Sequence, residues 1–434
     1  MADRLPMTLR AYRRAMSAAT PLANLWLKRR LRRGKEVAER LGERHGQPSL
    51  SRPDGPLVWL HGASVGELMA VVPLIQRLRS QDVRVLVTSG TVTSAKVVQD
   101  RLPDDVLHQF IPLDAPRFVG RFLNHWRPDL GLFIEQDLWP NLIQAAARRR
   151  IPLVLINARM SEQSFKGWRS LKRTAKALLG NFDLCLAQST LDGERFSQLG
   201  MKSVHITGNL KLDVPAPPAD PAALAAMGQA IMDRQILVAA STHPGEEDAI
   251  IEAHRRARKT RPRLLTIIAP RHPERGAEIL SRAVAAGSRG MLRSRGVMPD
   301  VRTDLYVADT IGELGLFYRI AHLVFMGGSI VEHGGQNPIE AAKLGKPILH
   351  GPNVWNFADI YAALDAARGA EEVENIGHLA MRIGDFMKDA AARKAAGEAA
   401  MRTVERLGGA LDRTFSELEP YLLQLRLGYQ AADA

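Results

Sequence analysis

Val214-Pro215-Ala216-Pro217-Pro218-Ala219-Asp220-Pro221 is the stretch on which the reading of this chain turns. Four of its last seven residues are proline. Proline has no amide proton and a fixed φ, so such a run cannot lie inside a helix or a central strand. It reads as a linker over 214–222, and the sequence on either side of it has one design. On the N-terminal side, β-rich runs alternate with helical stretches: Leu57 to His61, Val83 to Ser89, Leu130 to Glu135, Leu153 to Asn157, Asp183 to Gln188 and Ser203 to Thr207. On the C-terminal side the alternation restarts with Gln235 to Ser241, Leu264 to Pro270, Asp304 to Ala308, His322 to Gly327 and Lys346 to His350. Strand–helix alternation predicts parallel sheets with helices on both faces. Near-continuous apolar runs fit strands covered on both sides. The expectation is an α/β protein of two doubly wound, Rossmann-like domains, 46–213 and 223–390. Their crevices at the carboxyl ends of the strands would face each other across a cleft. The final segment, 391–434, is expected to supply helices that cross back onto the first domain.

Composition narrows the function. The chain has 434 residues, 46% hydrophobic and 24% charged, which is ordinary globular composition. The single cysteine, Cys185, excludes an intrachain disulfide and lies in the apolar run Leu184-Cys185-Leu186-Ala187, as a buried strand residue would. No CxxC or HExxH pattern points to a metal site. The net charge is +13, and residues 1–50 hold 12 Lys/Arg against 4 Asp/Glu, which implies an anionic partner. No nucleic-acid motif or basic stripe interleaved with aromatics is present, so nucleic acid is not expected. A membrane surface fits better. Leu9, Tyr12, Met16 and Ala19 recur at helical spacing, Leu22, Leu25 and Trp26 follow, and Lys28-Arg29-Arg30-Leu31-Arg32-Arg33 comes next. Arg10, Arg13 and Arg14 interrupt the segment, which therefore falls short of the ~20 apolar residues of a spanning helix. It has no signal-peptide core either. Residues 1–45 read as a basic amphipathic segment lying on anionic lipid, with the body of the protein cytoplasmic. The alternative is a helix packed on its own domain with a solvated basic end.

Chemistry-bearing residues gather where the β-rich runs end. His61-Gly62-Ala63-Ser64-Val65-Gly66-Glu67 follows the first run and opens a helix. Glu67 at a helix start is held anionic by the dipole. It is either a fixed base for a hydroxyl proton or a first-turn residue that only complements the dipole. In Glu135-Gln136-Asp137-Leu138-Trp139-Pro140-Asn141, the two carboxylates either orient a polyhydroxy acceptor or cap the next helix, with Asp137 as the cap. Asn157-Ala158-Arg159-Met160-Ser161 leads into Lys166, Arg169, Lys172, Arg173 and Lys176. Arg169, Arg173 and Lys176 fall near one helical face and either meet lipid phosphates or are solvated. In the second half, Ser241-Thr242-His243-Pro244-Gly245-Glu246 and Pro270-Arg271-His272-Pro273 each follow a strand. Arg271 offers a forked, permanent charge for a phosphate. Gly327-Gly328-Ser329 and Glu332-His333-Gly334-Gly335-Gln336-Asn337-Pro338-Ile339-Glu340 would bring backbone amides and a helix start to a phosphate, with Pro338 in the first helical position. Glu340 either closes a capping box on the Asn337 amide or grips a ribose diol. No GxxxxGK[ST] is present, and no GxGxxG follows the first strand.

The blocks HGASVGE, EQDLWPN, NARMS, TGNLKLD, STHPGEE, APRHPER, VADTIGELGLFY, FMGGS, GGQNPIE and GPNVWNF occur in that order. From about residue 30 to 365 the chain thereby resembles the Kdo (3-deoxy-D-manno-octulosonic acid) transferases of lipopolysaccharide assembly. The resemblance implies a GT-B glycosyltransferase fold with an N-terminal acceptor domain and a C-terminal CMP-Kdo domain. It implies an inverting transfer to a lipid A precursor at the cytoplasmic face of the inner membrane, with CMP-Kdo as co-substrate and no metal or other cofactor. Glu67 matches the family's general base, Glu135 its second acceptor-side carboxylate, and Arg271 and His272 its donor motif. Gly327, Gly328, Ser329, Asn337 and Glu340 match positions near the nucleotide's phosphate and ribose. With the residues read above, the acceptor set is Ser64, Glu135, Asp137, Arg159, Lys166 and Arg169. The donor set adds Ser241 and His243. Gly62 stands where Ala is usual, Asp137 where Glu is more frequent, and Val354-Trp355 is an unusual pair. Two rivals share the architecture: a nucleotide-sugar epimerase, which needs neither lipid nor a basic interfacial segment, and a non-catalytic nucleotide-sugar-binding protein.

Overall fold

The computed structural model describes residues 5–433. They form two compact units, one of Met1–Val214 with Gly408–Ala434, the other of Pro215–Leu407. The first contains β1 (Leu57–Gly62), β2 (Arg84–Ser89), β3 (Leu107–Phe110), β4 (Leu130–Ile134), β5 (Leu153–Ala158), β6 (Leu184–Ala187) and β7 (Val204–Ile206). The second contains β8 (Gln235–Thr242), β9 (Leu264–Pro270), β10 (Gly290–Leu292), β11 (Leu305–Val307), β12 (Leu323–Met326), β13 (Ile348–His350) and β14 (Ala370–Glu372). Each set makes one sheet, ordered β3-β2-β1-β4-β5-β6-β7 and β10-β11-β9-β8-β12-β13-β14. Every strand pair is parallel. The strands that the sequence pattern does not predict are β3, β10 and β14, and all three lie at sheet edges. An edge strand of three or four residues carries too little apolar sequence to stand out, as Leu107-His108-Gln109-Phe110 and Ala370-Glu371-Glu372 show.

Both faces of each central strand are covered. Along β1, Leu57 and Trp59 enter one core with Phe122 and Trp126, while Val58 and Leu60 enter the other with Leu74 and Leu78. This is the two-residue alternation of a pleated strand. Cys185 is buried in β6, and burial raises its thiol pKa, as a structural cysteine requires. Strand order reverses between β1 and β4, and again between β8 and β12. Doubly wound sheets open a crevice at such switch points, at the carboxyl ends of the strands. The loops after these strands are the ones that carry the quoted motifs.

Three expected boundaries need correction. Of the expected segment 1–45, residues 1–4 lie outside the described residues, and residues 5–45 are not a detached segment. Leu9 and Leu27 are buried, and the Tyr12 hydroxyl donates to Asp114 at 3.0 Å instead of lying in lipid. Glu36 accepts from Arg30 at 2.7 Å and from Arg44 at 3.0 Å, and Arg44 continues to the carbonyls of Gly90 and Ile111. The proline run is no free spacer. Arg319 donates to the Pro217 carbonyl, and Asp220 caps a helix that already begins at Pro221. At the other end, the helix Ala390–Leu407 stays with the second unit, and the chain returns only at Gly408. Asp213 then accepts from the amides of Gly409 (2.7 Å) and Leu411 (2.6 Å), capping the helix Ala410–Asp433. Phe415, Leu418 and Leu422 of that helix complete the core beneath β1.

Candidate active site

In the first unit the switch point brings together the ends of β1 and β4. Ser64 is the N-cap of the helix Val65–Arg79 and accepts from the Glu67 amide. Glu67 reaches back: Oε1 accepts from the Ser64 hydroxyl at 2.8 Å and Oε2 from the Ala63 amide at 2.8 Å. This is a capping box with the acid's grip moved one residue toward the strand. It fixes the carboxylate at the helix mouth without burying it fully. Burial is the main cause that raises the Glu67 carboxyl above its ordinary pKa, opposed by the Ser64 and Ala63 hydrogen bonds and reinforced by the charges of Glu135 and Asp137.

Glu135 turns the chain out of β4 with a left-handed φ of 58°, and its carboxylate receives Lys211 Nζ at 2.8 Å. Asp137 does not cap the following helix. Its Oδ2 accepts from His61 Nε2 at 2.8 Å and Trp139 Nε1 at 3.0 Å, and His61 is itself fully buried. Burial pushes the Asp137 carboxyl up, but the His61 and Trp139 contacts outweigh it, so the group sits below its ordinary value. The helix Pro140–Arg148 is capped from outside by Asp114, which accepts from the amides of Asn141 and Leu142, both at 2.9 Å.

The basic stretch behaves differently. Lys166 pairs with Glu162 on the exposed helix Glu162–Ser170, and Arg169 lies over the Phe165 ring. A break at Leu171 starts a second helix, Lys172–Leu179, so Arg169, Arg173 and Lys176 do not share one continuous helical face. Arg159 follows β5 in a loop and is partly exposed.

In the second unit the switch point joins the ends of β8 and β12, with β9 beside β8. Ser241 takes a left-handed φ of 55° at the end of β8. His243 stacks on His333 at 3.7 Å and meets His272 edge-on at 6.1 Å. Its Nε2 receives the Gln336 side-chain amide at 2.9 Å, which leaves the ring proton on Nδ1. Burial, then the charges of His333, His272, Arg271 and Arg275, push the His243 pKa down to about 4. The ring is therefore neutral at pH 7. Arg271 and His272 are exposed, with Arg271 anchored through its backbone amide on the Thr242 carbonyl at 3.0 Å.

The glycine-rich loop corrects an expectation. The amides of Gly328, Ser329 and Ile330 are not open to a phosphate; they donate to the carboxylate of Glu246 at 2.6, 2.9 and 2.9 Å. The His243 amide adds a fourth bond to Glu246 at 2.9 Å. Glu246 is fully buried, as is Ser329, whose hydroxyl donates to Met326 and accepts from the Gly351 amide. Gly327 lies against the Ser241 carbonyl, where any Cβ would collide. Beyond it, the amides of Gly335 and Gln336 return to the carbonyls of Gly328 and Gly327. Pro338 is the N-cap of the helix Ile339–Lys343 and not its first helical residue. Asn337 Oδ1 accepts from the Ile339 amide. Glu340 is raised by burial and opposed by a hydrogen bond from the Asn337 side chain, so the contact is side chain to side chain. Among the described residues, no group of three or more His, Cys, Asp or Glu gathers to hold a metal ion.

A family model for 3-deoxy-D-manno-octulosonic-acid transferase matches residues 35–214. The 3-deoxy-D-manno-octulosonic acid transferase of Rickettsia bellii is 36% identical over 348 residues, 80% of this chain and 83% of that protein. The same enzyme of Haemophilus influenzae is 33% identical over 89% of this chain and 92% of its own, and that of Bordetella pertussis 34% over 95% and 99%. The chain belongs to the Kdo transferase family. It is thus a glycosyltransferase of lipopolysaccharide biosynthesis. Solved UDP-N-acetylglucosamine 2-epimerases from Listeria monocytogenes (TM-score 0.58, 15% identity, 84% of this chain and 98% of that one) and Neisseria meningitidis (0.57, 14%, 85% and 100%) share the fold. At that identity they bear on architecture alone.

Within this Kdo transferase the structure brings together Ser64, Glu67, Glu135 and Asp137 in one unit and Ser241, His243, Arg271 and His272 in the other. It buries Ser329 and the amide of Gly328 in structural bonds, and it leaves Lys166 and Arg169 on an exposed helix. Sequence reasoning missed Lys211, His61 and Trp139 beside the carboxylates, and Glu246, His333 and Gln336 around His243. Five of the six lie inside the ordered blocks and His333 directly precedes GGQNPIE, so their positions were visible. Their contacts were not, because His61 and Asp137 are 76 residues apart and Glu246 and Gly328 are 82.

Proposed function

We propose that this Kdo transferase moves Kdo from CMP-Kdo to a sugar hydroxyl of a lipid A precursor, with inversion, and that Glu67 is the general base. The observation that carries the reading is the Glu67 carboxylate: fixed by Ser64 and Ala63, half-buried, and raised in pKa at the mouth of a switch point. Glu67 takes the hydroxyl proton as the acceptor oxygen bonds to the anomeric carbon of Kdo. The bond from that carbon to the CMP phosphate breaks on the opposite side, and CMP leaves with the electron pair. The guanidinium of Arg271 meets the charge that grows on the leaving phosphate, the kind of electrostatic support that dominates such reactions. Neutral His243 offers its Nδ1 proton in the same unit. No metal takes part in this scheme. Incubating the protein with CMP-Kdo and lipid A precursor should yield lipid-linked Kdo and free CMP in equal amounts. Release of CMP with no Kdo on lipid, or no turnover of CMP-Kdo, overturns the reading.

A base with a raised pKa gives transfer an acidic limb above the ordinary carboxylate range. Activity is full when Glu67 is ionised and falls as pH drops through its pKa. Asp137→Asn removes a nearby negative charge, so ionising Glu67 becomes easier and the limb of the kcat/KM profile should move to lower pH. An unmoved limb would separate it from Glu67.

Arg271→Lys keeps the charge and loses the planar fork. We expect KM for CMP-Kdo to rise or turnover to drop. Kinetics equal to the parent would show that Arg271 does not clamp the phosphate.

The proposed site of action is the cytoplasmic face of the inner membrane. Among the described residues, no helix is long and apolar enough to cross a membrane. Leu22, Leu25 and Trp26 stand 64%, 71% and 48% exposed beside the exposed Lys28, Arg29, Arg32 and Arg33. Each basic residue near an anionic surface contributes about 1 kcal/mol. The protein should therefore sediment with anionic vesicles and be released in about 1 M salt, where the field reaches only about 3 Å. Leu25→Glu with Trp26→Glu should abolish sedimentation. Retention through the salt wash would rule out surface attachment.

A further inference from the structure

A cavity of about 670 Å³ lies between the N-terminal helices and the helix Pro116–Trp126. It is separate from the carboxylates described above, and nothing in the proposed chemistry uses it. Two arginines, Arg117 and Arg121, line it, its other polar lining includes Asn24, His45 and Gln47, and no acidic side chain lines it. Two arginines four residues apart share a helix face, and like charges so placed repel. Arg117 is also the second residue of that helix, where the dipole adds positive potential. An anion between the guanidiniums relieves both costs. The His45 ring spends Nδ1 on the Leu41 carbonyl at 3.1 Å, and its buried Nε2 has no partner. That nitrogen is left to bond a polar group of a ligand.

The size and the neighbours define the ligand further. The volume falls within the roughly 300–1,000 Å³ of small-molecule sites, so bare phosphate would leave most of it unfilled. The other wall is the turn Thr20–Leu22 and Asn24, where Leu22 and Leu25 project outward as exposed apolar side chains. Ala23 faces inward instead and packs on Phe118. A ligand with a phosphate at one end and acyl chains at the other matches a polar cavity beside an apolar rim. The helix Pro116–Trp126 follows β3, so the cavity lies toward the carboxyl ends of the strands, the end of the sheet that holds Glu67.

We propose that this cavity binds the phosphate headgroup of a membrane glycerophospholipid between Arg117 and Arg121. A bilayer lipid is then a specific ligand of the first unit, not only a charged surface. The proposal rests on the membrane reading above, and its test distinguishes the two. The full-length protein is titrated with short-chain phosphatidylglycerol below its micelle concentration, followed by tryptophan fluorescence and thermal midpoint. Wild type should bind saturably. Arg117→Ala with Arg121→Ala should weaken binding at least about tenfold, the loss of roughly one charge-assisted contact. The single change at exposed Arg117 serves if the double variant does not fold. Arg29→Ala with Arg32→Ala, on the outer face, should bind the short-chain lipid as wild type does while losing affinity for anionic vesicles. Three results overturn the cavity assignment: no saturable binding, equal loss in both double variants, or inorganic phosphate binding as tightly as the lipid. The last would make this a free-phosphate site. Vesicle binding without saturable short-chain binding would leave the surface reading and remove the cavity. Saturable, Arg117-dependent binding by a protein that ignores vesicles would do the reverse.

Discussion

Glu67→Gln is expected to reduce transfer at least about 100-fold, the lower bound of general-base assistance, while the protein stays folded. The two roles of Glu67 separate at this substitution. As a cap, the side chain needs an acceptor for the Ala63 amide and a partner for the Ser64 hydroxyl, and glutamine supplies its carbonyl oxygen for the first. Capping boxes accept Gln in this place. As a base, the side chain must take a proton, which a neutral amide cannot do. Glu67→Gln should therefore melt like the parent, and CMP should still bind, since the proposed donor residues belong to the other unit. Glu67→Ala should lose activity and also about 1 kcal/mol of stability, because the cap goes with the base. A Glu67→Gln protein that keeps more than about a tenth of the parental rate would mean that another group takes the proton.

Glu246→Ala should be the most damaging single change in the second unit. The carboxylate is fully buried and holds four backbone amides, those of His243, Gly328, Ser329 and Ile330. A buried donor left without its partner costs about 1–3 kcal/mol, and hydrogen bonds to a charged group are the stronger kind. Even with water entering to satisfy some of the four, a loss of at least about 3 kcal/mol follows. Urea denaturation of the full chain measures it. Glu252→Ala in the helix Glu246–Arg258, which Glu246 opens, is the control: its ion pairs with Arg255 and Arg256 are exposed, and such pairs contribute little. Use of the proposed donor, CMP-Kdo, should fall as well, because the loops that carry His243 and Gly327 are tied to each other through this carboxylate. A Glu246→Ala protein within about 1 kcal/mol of wild type would show that the four amides find other partners.

Glu246 also shows where reading the chain as a string stops. The motif Ser241-Thr242-His243-Pro244-Gly245-Glu246 was visible, and so was Gly327-Gly328-Ser329. Glycines before a helix suggested amides aimed at a phosphate. The fold filled those amides with the protein's own carboxylate, so the loop is rigid scaffolding for His243 and its neighbours. Asp137 fails in the same way. Three residues before a helix-starting Pro-Asn, it looks like a cap, but His61 and Trp139 claim it, and Asp114 reaches the helix from a different loop.

What the sequence determined by itself was everything that depends on local rules. Proline chemistry placed the break near residue 214, and apolar runs alternating with helical stretches marked eleven of the fourteen strands. Glu67 was placed at a helix start by its motif, and that local position is where the structure has it, although its pairing with Ser64, three residues away, was not read. The ordered motif blocks carried the family. Only the tertiary structure decided which buried polar groups satisfy one another. A buried carboxylate or imidazole must find a partner, and the geometry of the packed sheet, not spacing along the chain, selects it. That is why Lys211 belongs to Glu135, His61 to Asp137 and Glu246 to the glycine loop. It is also why residues 5–45, amphipathic and basic by sequence, divide between a buried face tied to Asp114 and Gly90 and an exposed one led by Leu25 and Trp26.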